Sequence, residues 1–334
     1  MRVTLLISTL VLCTIRRVDS AATKSNAASR KLTPPFPNGV CGGSIVTIPP
    51  EETYSIDANL ANINIVGDFV LPPRSIRVWL PPCYDEDKKY PVLYAHDGQN
   101  AMEDSESWTG MSWRLAGALT RMEEYQLIPA GSPLPIVVML PSATGDLLPG
   151  VRRRHLEYGD LTIPFAQVHA DFVAKTVKPL IDSRFSTKPS AEHTYAIGTS
   201  LGGQASLNLV LRHPDVFGGA ACLSPAFGPS VLGEVARKSK ILKTKRIYMD
   251  IGGDIEDIKV PLVDVFDHIT PEHWWNPGYF WLDTQLQGGV EAMRQALDQA
   301  GIQYCFFQFP GGRHNERAWA NRIHEPLLHL FKEL

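Results

Sequence analysis

The stretch Tyr195-Ala-Ile-Gly198-Thr-Ser200-Leu-Gly202-Gly203-Gln204 decides how this chain is read. It holds the pattern G-x-S-x-G between a strand-like run, Thr194–Ile197, and a helical pattern, Leu201–Arg212, that stops before Pro214. A pattern with so few fixed positions is weak alone; the strand before it and the helix after it give it weight. A serine on such a turn sits in a strained backbone conformation with its Oγ thrust into a cleft. Neighbouring chain must pack close against the turn, and Gly198 and Gly202 remove the Cβ atoms that would clash there. The Leu201 amide opens the helix and points at the same cleft, so it is a candidate donor to an oxyanion. The plain alternative is a tight strand-to-helix turn with an incidental serine.

Outward from this turn, short apolar strands alternate with helical patterns. The strand candidates are Ser75–Leu80, Pro91–Ala95, Ile136–Leu140, Thr194–Ile197, Gly219–Leu223, Arg246–Ile251 and Gln303–Phe309. Most are continuous runs of Val, Ile, Leu, Tyr and Phe, as expected of strands covered on both faces. Helices are expected over Trp113–Met122, Phe165–Ile181, Leu201–Arg212 and Leu286–Ala300, with a last one carrying Trp319, Ile323, Leu327, Leu330 and Phe331. Pro179 should kink or end the second of these. The alternation indicates an α/β fold built on a doubly wound, mostly parallel sheet with helices on both faces. Such sheets carry their sites at the C-terminal ends of the strands.

The 334 residues are 44% hydrophobic and 20% charged, with a formal net charge of −3. That suffices for one large domain, here 41–334. A nucleic-acid partner would leave a basic footprint, and none is visible. Arg152-Arg153-Arg154 is the densest basic cluster and reads as a solvated loop. Arg2, the apolar run Val3–Ile15 and the small residues Ser20, Ala21 and Ala22 have the layout of a secretory signal peptide over 1–22. A flexible leader, rich in Ser, Ala, Lys, Pro and Asn, is expected over 23–40. The expected setting is extracellular, with no membrane association after the signal is removed. Cys13 would leave with the signal. Cys41, Cys83, Cys222 and Cys305 would remain and permit two disulfides in three pairings, with buried free thiols as the alternative for Cys222 and Cys305.

A serine nucleophile needs a base within hydrogen-bond reach. His314 is the best placed, on a loop between the strand Gln303–Phe309 and the last helix. His213 sits at a helix end before Pro214, and His324 and His329 lie inside the last helix. With this motif the chain order is Ser, acid, His, so the acid should follow Arg246–Ile251. Asp250, Asp254, Glu256 and Asp257 compete there. Asp250 lies inside the strand, while Asp254 and Glu256 begin the loop and stay tied.

Tyr94-Ala-His-Asp97-Gly98-Gln99-Asn100 follows the second strand, and Gly98 permits a turn that directs a backbone N–H into the cleft. Tyr90-Pro-Val-Leu-Tyr-Ala-His-Asp-Gly-Gln-Asn100 resembles the corresponding segment of the putative-esterase family of α/β-hydrolases. Further pieces match in order: Arg77-Val-Trp-Leu-Pro-Pro, Arg154-His-Leu-Glu-Tyr158, Gly198–Gly203, Phe217 through Ser224-Pro225, and Gly311-Gly-Arg-His-Asn-Glu-Arg-Ala-Trp319. The resemblance spans roughly 70–334 and implies an α/β-hydrolase fold and a serine esterase. It matches Ser200 to the nucleophile, His314 to the base, and the amides of Gln99 and Leu201 to the oxyanion donors. It places the acid about three residues after a glycine beyond the strand. That gives Glu256 counted from Gly253, with Asp254 still open because the glycine is doubled.

The implied activity is ester hydrolysis through an acyl-enzyme, with no metal or organic cofactor, on a small-molecule or saccharide-linked ester. An acyltransferase using the same three residues and a non-catalytic binding protein are the other classes. Activity should fall as pH drops through the histidine pKa, about 6.5 when unperturbed. Trp108, Trp113, Trp274, Trp275, Tyr279 and Phe280 fall in two segments beside these loops. Trp108 and Trp275 are candidates for the substrate wall, against ordinary packing. The long irregular stretch from Asp254 to Trp281 reads as a lid.

Overall fold

Every parallel strand of the central sheet delivers its C-terminal end to the same edge of the molecule. The computed structural model describes residues 32–53, 71–72, 74–129, 131–253 and 282–332. The eight-stranded sheet has the order β1-β2-β4-β3-β7-β8-β9-β10. Its strands are β1 (Ser44–Ile48), β2 (Ile76–Leu80), β3 (Val92–His96), β4 (Ile136–Leu140), β7 (Thr194–Thr199), β8 (Gly219–Leu223), β9 (Arg246–Ile251) and β10 (Cys305–Gln308). The strands from β4 across to β10 are mutually parallel. β2 runs antiparallel to β4, and β1 antiparallel to β2. A small separate hairpin pairs β5 (Asp146–Leu148) with β6 (Val151–Arg152).

Side chains alternate across this sheet, so each strand feeds two cores. In β3, Val92 and Tyr94 join one buried cluster while Leu93 and Ala95 join the other. In β4, Ile136, Val138 and Leu140 separate in the same way from Val137 and Met139. Both faces are apolar, which is why these strands read as unbroken hydrophobic runs. β1 escapes such a reading because it is an edge strand and Ser44, Val46 and Thr47 are exposed.

The helices that bear on the site are α1 (Leu115–Glu124), α2 (Arg153–Glu157), α3 (Pro164–Phe172), α4 (Lys178–Arg184), α5 (Leu201–Arg212), α6 (Pro229–Arg237), α7 (Leu282–Ala300), α8 (Glu316–Ala320) and α9 (His324–Phe331). Pro179 does not end its helix. A π-helical turn over Val173–Val177 joins α3 to α4. Its wider i→i+5 spacing lets Lys178 N–H bond Val173 C=O just before the proline, whose missing N–H then falls in the first turn of α4. The expected last helix is two pieces, α8 and α9.

Two other expectations change. From Leu32 onward the presumed leader is packed against the domain: Leu32 and Phe36 are buried in the second core, and Arg114 Nη1 donates to Phe36 C=O at 3.0 Å. The four described cysteines, Cys41, Cys83, Cys222 and Cys305, are free thiols. Cys222 on β8 and Cys305 on β10 are separated by the whole of β9. Two strand spacings put them about 9–10 Å apart, too far for a disulfide. Burial pushes the Cys305 thiol up to about 12, so it stays protonated. The expected signal peptide and Cys13 lie outside the described residues. No helix among the described residues is long and apolar enough to cross a membrane.

Candidate active site

Ser200 occupies the turn between β7 and α5 at φ 55° and ψ −126°, a conformation a side-chain-bearing residue adopts only under strain. The chain holds it there by its own backbone. Ser200 N–H donates to Leu223 C=O at 2.9 Å, and Ser200 C=O accepts from Gly203, Gln204 and Ala226 amides at 3.0, 3.3 and 3.2 Å. The glycines do what the sequence demanded of them. A Cβ at Gly198 would lie 2.3 Å from Gly202 O, and one at Gly202 would lie 2.8 Å from Asp97 Oδ2. Leu201 is the first residue of α5, and the first amides of a helix have no carbonyl one turn back to bond.

Asp97-Gly98-Gln99-Asn100, at the end of β3, faces this turn. Asp97 is left-handed at φ 54°. Its carboxylate takes a bidentate pair from Arg154, with Nε and Nη2 each at 2.7 Å, and its amide donates to Tyr158 Oη at 3.2 Å. Arg154 is therefore an anchor, where the sequence suggested a solvated loop. A Cβ at Gly98 would lie 2.5 Å from Met139 C, so only glycine lets the turn sit against β4. The Gln99 side chain is tied to Ser142 by Nε2→Oγ at 3.0 Å and by Ser142 N–H→Oε1 at 3.2 Å. Both ends of the Gln99 amide group are thus fixed to Ser142.

Behind the turn, His96 Nδ1 lies 2.9 Å from Ser206 Oγ. Ser206 spends its proton on Gly202 C=O at 2.9 Å, so His96 Nδ1–H is the donor. Burial lowers the His96 pKa to about 4, and the ring is neutral.

His314 stands on the loop after β10, nearly enclosed, with its ring edge-on to Trp319 at 5.0 Å. Its Nδ1 lies 2.7 Å from Asp283 Oδ1. Burial works to raise the Asp283 pKa, but the hydrogen bond and charge of His314, with Arg322 and Ser224, outweigh it and hold the carboxyl below its ordinary value. Asp283 is ionised, so the proton sits on Nδ1 and Nε2 is left as the basic end of the ring.

Asp283 was not among the residues singled out in the sequence. It lies in the first turn of α7, a helix that begins at Leu282, before the point its apolar spacing suggests. Asp254 and Glu256, the expected acids, lie outside the described residues, and the carboxylate bonded to His314 is Asp283 instead. Trp275 and the expected lid also lie outside the described residues. A Cβ at Gly252 would lie 2.2 Å from Asp283 Oδ2, and Gly253 N–H donates to Gly312 C=O at 2.8 Å. The pair clears space for a carboxylate arriving from elsewhere.

A second layer holds the acid. Ser224 Oγ–H donates to Asp283 Oδ2 at 3.1 Å and accepts from Trp319 Nε1 at 3.2 Å and Arg322 Nη2 at 2.6 Å. Its one proton and two lone pairs are all used. Arg322 also pairs with Asp250 Oδ1 at 3.1 Å. Asp250, fully buried, accepts from Ser224 N–H at 3.0 Å and Tyr248 Oη at 3.0 Å. Burial raises its pKa against these donors. Asp250 is thus a supporting carboxylate, turned away from His314.

Ser200 and His314 are linked through this layer: Ser200 bonds Leu223, Ser224 follows in sequence, and Ser224 bonds Asp283, which bonds His314. A serine on a strained strand-to-helix turn, the Asp97–Asn100 turn and a histidine bonded to a buried carboxylate are carried by one doubly wound sheet.

The family described as Putative esterase matches residues 72–330. This chain belongs to that family. Its fold is the α/β-hydrolase fold, and the family makes it a carboxylic-ester hydrolase of the serine type. The esterase is 25% identical over 195 residues to the uncharacterized protein YbbA of Bacillus subtilis (strain 168), covering 54% of this chain and 68% of that one. It is 27% identical over 214 residues to an endo-1,4-beta-xylanase/feruloyl esterase of Xylanibacter ruminicola, covering 61% of this chain and only 26% of that larger protein. Among solved structures, a mutant of the feruloyl esterase module from Clostridium thermocellum complexed with sinapinate superposes with a TM-score of 0.56 at 18% identity, covering 90% of this chain and 94% of that one. The enterobactin esterase of Shigella flexneri gives a TM-score of 0.51 at 17% identity, covering 89% of this chain and 60% of that one.

Of the two expected wall residues, Trp108 and Trp275, Trp108 lies among the described residues; it is 47% exposed, and its indole N–H donates to Glu316 Oε1 at 2.9 Å. Trp113 is a core residue with no exposure.

Proposed function

We propose that the esterase is a secreted enzyme that hydrolyses a small-molecule or saccharide-linked ester through Ser200, His314 and Asp283. The observation that carries this reading is the 2.7 Å bond from His314 Nδ1–H to Asp283 Oδ1, with Ser200 held on a strained turn that is tied through Leu223 and Ser224 to the same carboxylate. With Nδ1 committed, Nε2 accepts the Ser200 proton while Oγ forms a bond to the ester carbonyl carbon. The carbonyl π pair moves to oxygen, where the amides of Gln99 and Leu201 receive it. Collapse expels the alcohol, which takes its proton from His314. Water then repeats the cycle on the acyl-enzyme and releases the acid.

For the substrate, the solved relatives of this fold include a feruloyl esterase module complexed with sinapinate and an enterobactin esterase. The feruloyl and sinapinate names point to an aromatic acyl group. The exposed face of Trp108 is a suitable partner for such a ring. The charged N-terminus followed by the apolar run Val3–Ile15 supports secretion.

The test is labelling with a fluorophosphonate, together with turnover of p-nitrophenyl, feruloyl and catecholate esters. Labelling at Ser200, lost in Ser200→Ala along with turnover of every ester, is the expected result. Full turnover by a folded Ser200→Ala protein sinks the proposal. Sequencing the N-terminus of the exported protein tests the secretory part.

A further inference from the structure

Glu316 lies two residues beyond His314, at the first position of α8, with 2% of its surface exposed. Its Oε1 accepts two hydrogen bonds from the opposite side of the site, Asn100 Nδ2 at 3.2 Å and Trp108 Nε1 at 2.9 Å. Its Oε2 is buried without a hydrogen-bond partner. Both donors to Oε1 are neutral N–H groups.

Asn100 is the residue after Gln99 and closes the turn that presents the Gln99 amide. Its Oδ1 accepts from Ser107 Oγ at 3.2 Å and Trp108 N–H at 3.4 Å, and its backbone carbonyl accepts from Trp113 N–H at 2.8 Å. Asn100 is therefore locked to the loop of Trp108 and, through Glu316, to the loop of His314. The His314 bond to Asp283 leads instead to α7. The Glu316 carboxyl is thus a direct tie between the loop that carries the base and the turn that carries the oxyanion amide.

We propose that Glu316 is a positioning residue, whose bonds to Asn100 and Trp108 hold the oxyanion turn in register with the His314 loop. Burial, with the Asp97 charge as a smaller contribution, raises its pKa to about 7. In either protonation state Oε1 can accept from the two N–H donors. Glutamine preserves that oxygen and alanine removes it. Misplacing reacting groups by about 1 Å costs on the order of a hundredfold in rate.

The inference rests on the Ser200–His314–Asp283 reading, and the experiment keeps the two separable. Wild-type turnover of p-nitrophenyl acetate, and its loss in Ser200→Ala, are measured first; failure there strikes the triad and not Glu316. Glu316→Ala, Glu316→Gln and Asn100→Ala are then compared by kcat, KM, rate of fluorophosphonate labelling and Tm. Glu316→Ala should lower kcat and labelling rate by about 10- to 100-fold with KM within about threefold, and Glu316→Gln should restore kcat to within about threefold of wild type. Asn100→Ala, which cuts the same tie from the other side, should reproduce the alanine loss, and the double variant should be no worse than either single one. If Glu316→Ala does not fold, Asn100→Ala against Glu316→Gln decides the matter. The proposal is overturned by a kcat within threefold of wild type in folded Glu316→Ala or Asn100→Ala. It is equally overturned by equal losses in the alanine and glutamine variants.

Discussion

Asp283 Oδ1 stands 2.7 Å from His314 Nδ1, and the two residues enter the site from different elements, α7 and the loop after β10. The acid that orients the histidine therefore does not come directly from the end of β9. Asp283→Asn keeps the shape of the side chain but offers Nδ1 an ambiguous partner and favours the wrong tautomer. In a Ser-His-Asp site that change costs about 10⁴ in kcat. We expect a loss of about 10³–10⁴ in kcat for p-nitrophenyl acetate, with Asp254→Asn and Glu256→Gln retaining at least half of wild-type activity. A dead Glu256→Gln protein beside an active Asp283→Asn protein would return the role to the loop after β9.

Arg322 is the cation for two buried carboxylates, 3.1 Å from Asp250 Oδ1 and 4.0 Å from Asp283 Oδ2. Removing one member of a buried charged cluster leaves uncompensated charge and costs about 3–5 kcal/mol. Arg322→Met should therefore show a strongly lowered urea midpoint. Ser224→Ala loses the hydroxyl that Asp283, Trp319 and Arg322 share, at a cost of about 1–3 kcal/mol. Its kcat should fall more than its stability explains, because Asp283 is then free to rotate. An Arg322→Met protein with an unchanged urea midpoint would show that the cluster is not held by this guanidinium.

Much of this arrangement was legible because it obeys local rules. The elbow needs glycine at 198 and 202, the apolar runs mark strands covered on both faces, and His314 follows the last strand. The parts that were not legible depend on the chain meeting itself. Asp283 is one of several carboxylates beyond β9, and nothing next to it in sequence distinguishes it. What marks it is the space left by Gly252, which only the fold reveals. Arg154 read as a surface charge because its partner, Asp97, is far away in sequence. Pro179 read as a kink or an end because a π turn is not a pattern of residues but a way of absorbing a missing N–H.

Gly252 supplies a direct check on that space. Its Cβ would meet Asp283 Oδ2 at 2.2 Å and Gly312 O at 2.8 Å. Gly252→Ala must therefore push Asp283 or the His314 loop aside, and overpacking of this kind costs about 1–3 kcal/mol. We expect kcat/KM to fall by about 10- to 100-fold, the scale of a small misplacement of reacting groups. By contrast, Gly233, which has open space around the added atom, should accept alanine with unchanged kinetics. An active, stable Gly252→Ala enzyme would mean that Asp283 has room to spare.

Acid should unfold this protein from the histidines first. Burial lowers the pKa of His96, His324 and His329 to about 4, and holds that of His169 well below its ordinary value. A group whose folded pKa lies below its unfolded value of about 6.5 contributes stability that is complete above pH 6.5 and drains away as pH falls toward the folded pKa. Two carboxyls work the other way. Glu316, raised to about 7, and Asp250, also raised by burial, bind protons in the folded state that the unfolded chain has already lost, so lowering the pH favours folding through them. Among the described residues the histidines held below their ordinary pKa, with His155 and His193 added to these, outnumber the raised carboxyls, so acidification from pH 6.5 to 4.5 brings a net loss. The pairing of Asp283 is lost only below the ordinary carboxylate range, because its own pKa is held down. At about 1.4 kcal/mol per uncompensated group and pH unit, this net loss predicts a fall in Tm of a few degrees (about 4 °C for two groups) per unit between pH 6.5 and 4.5. His324, whose ring meets Phe36 edge-on at 5.4 Å, can be replaced by phenylalanine to remove one titrating group from the core. Scanning calorimetry of His324→Phe should give a shallower slope over this window, and a Tm that stays flat from pH 6.5 to 4.5 in the wild type would refute the account.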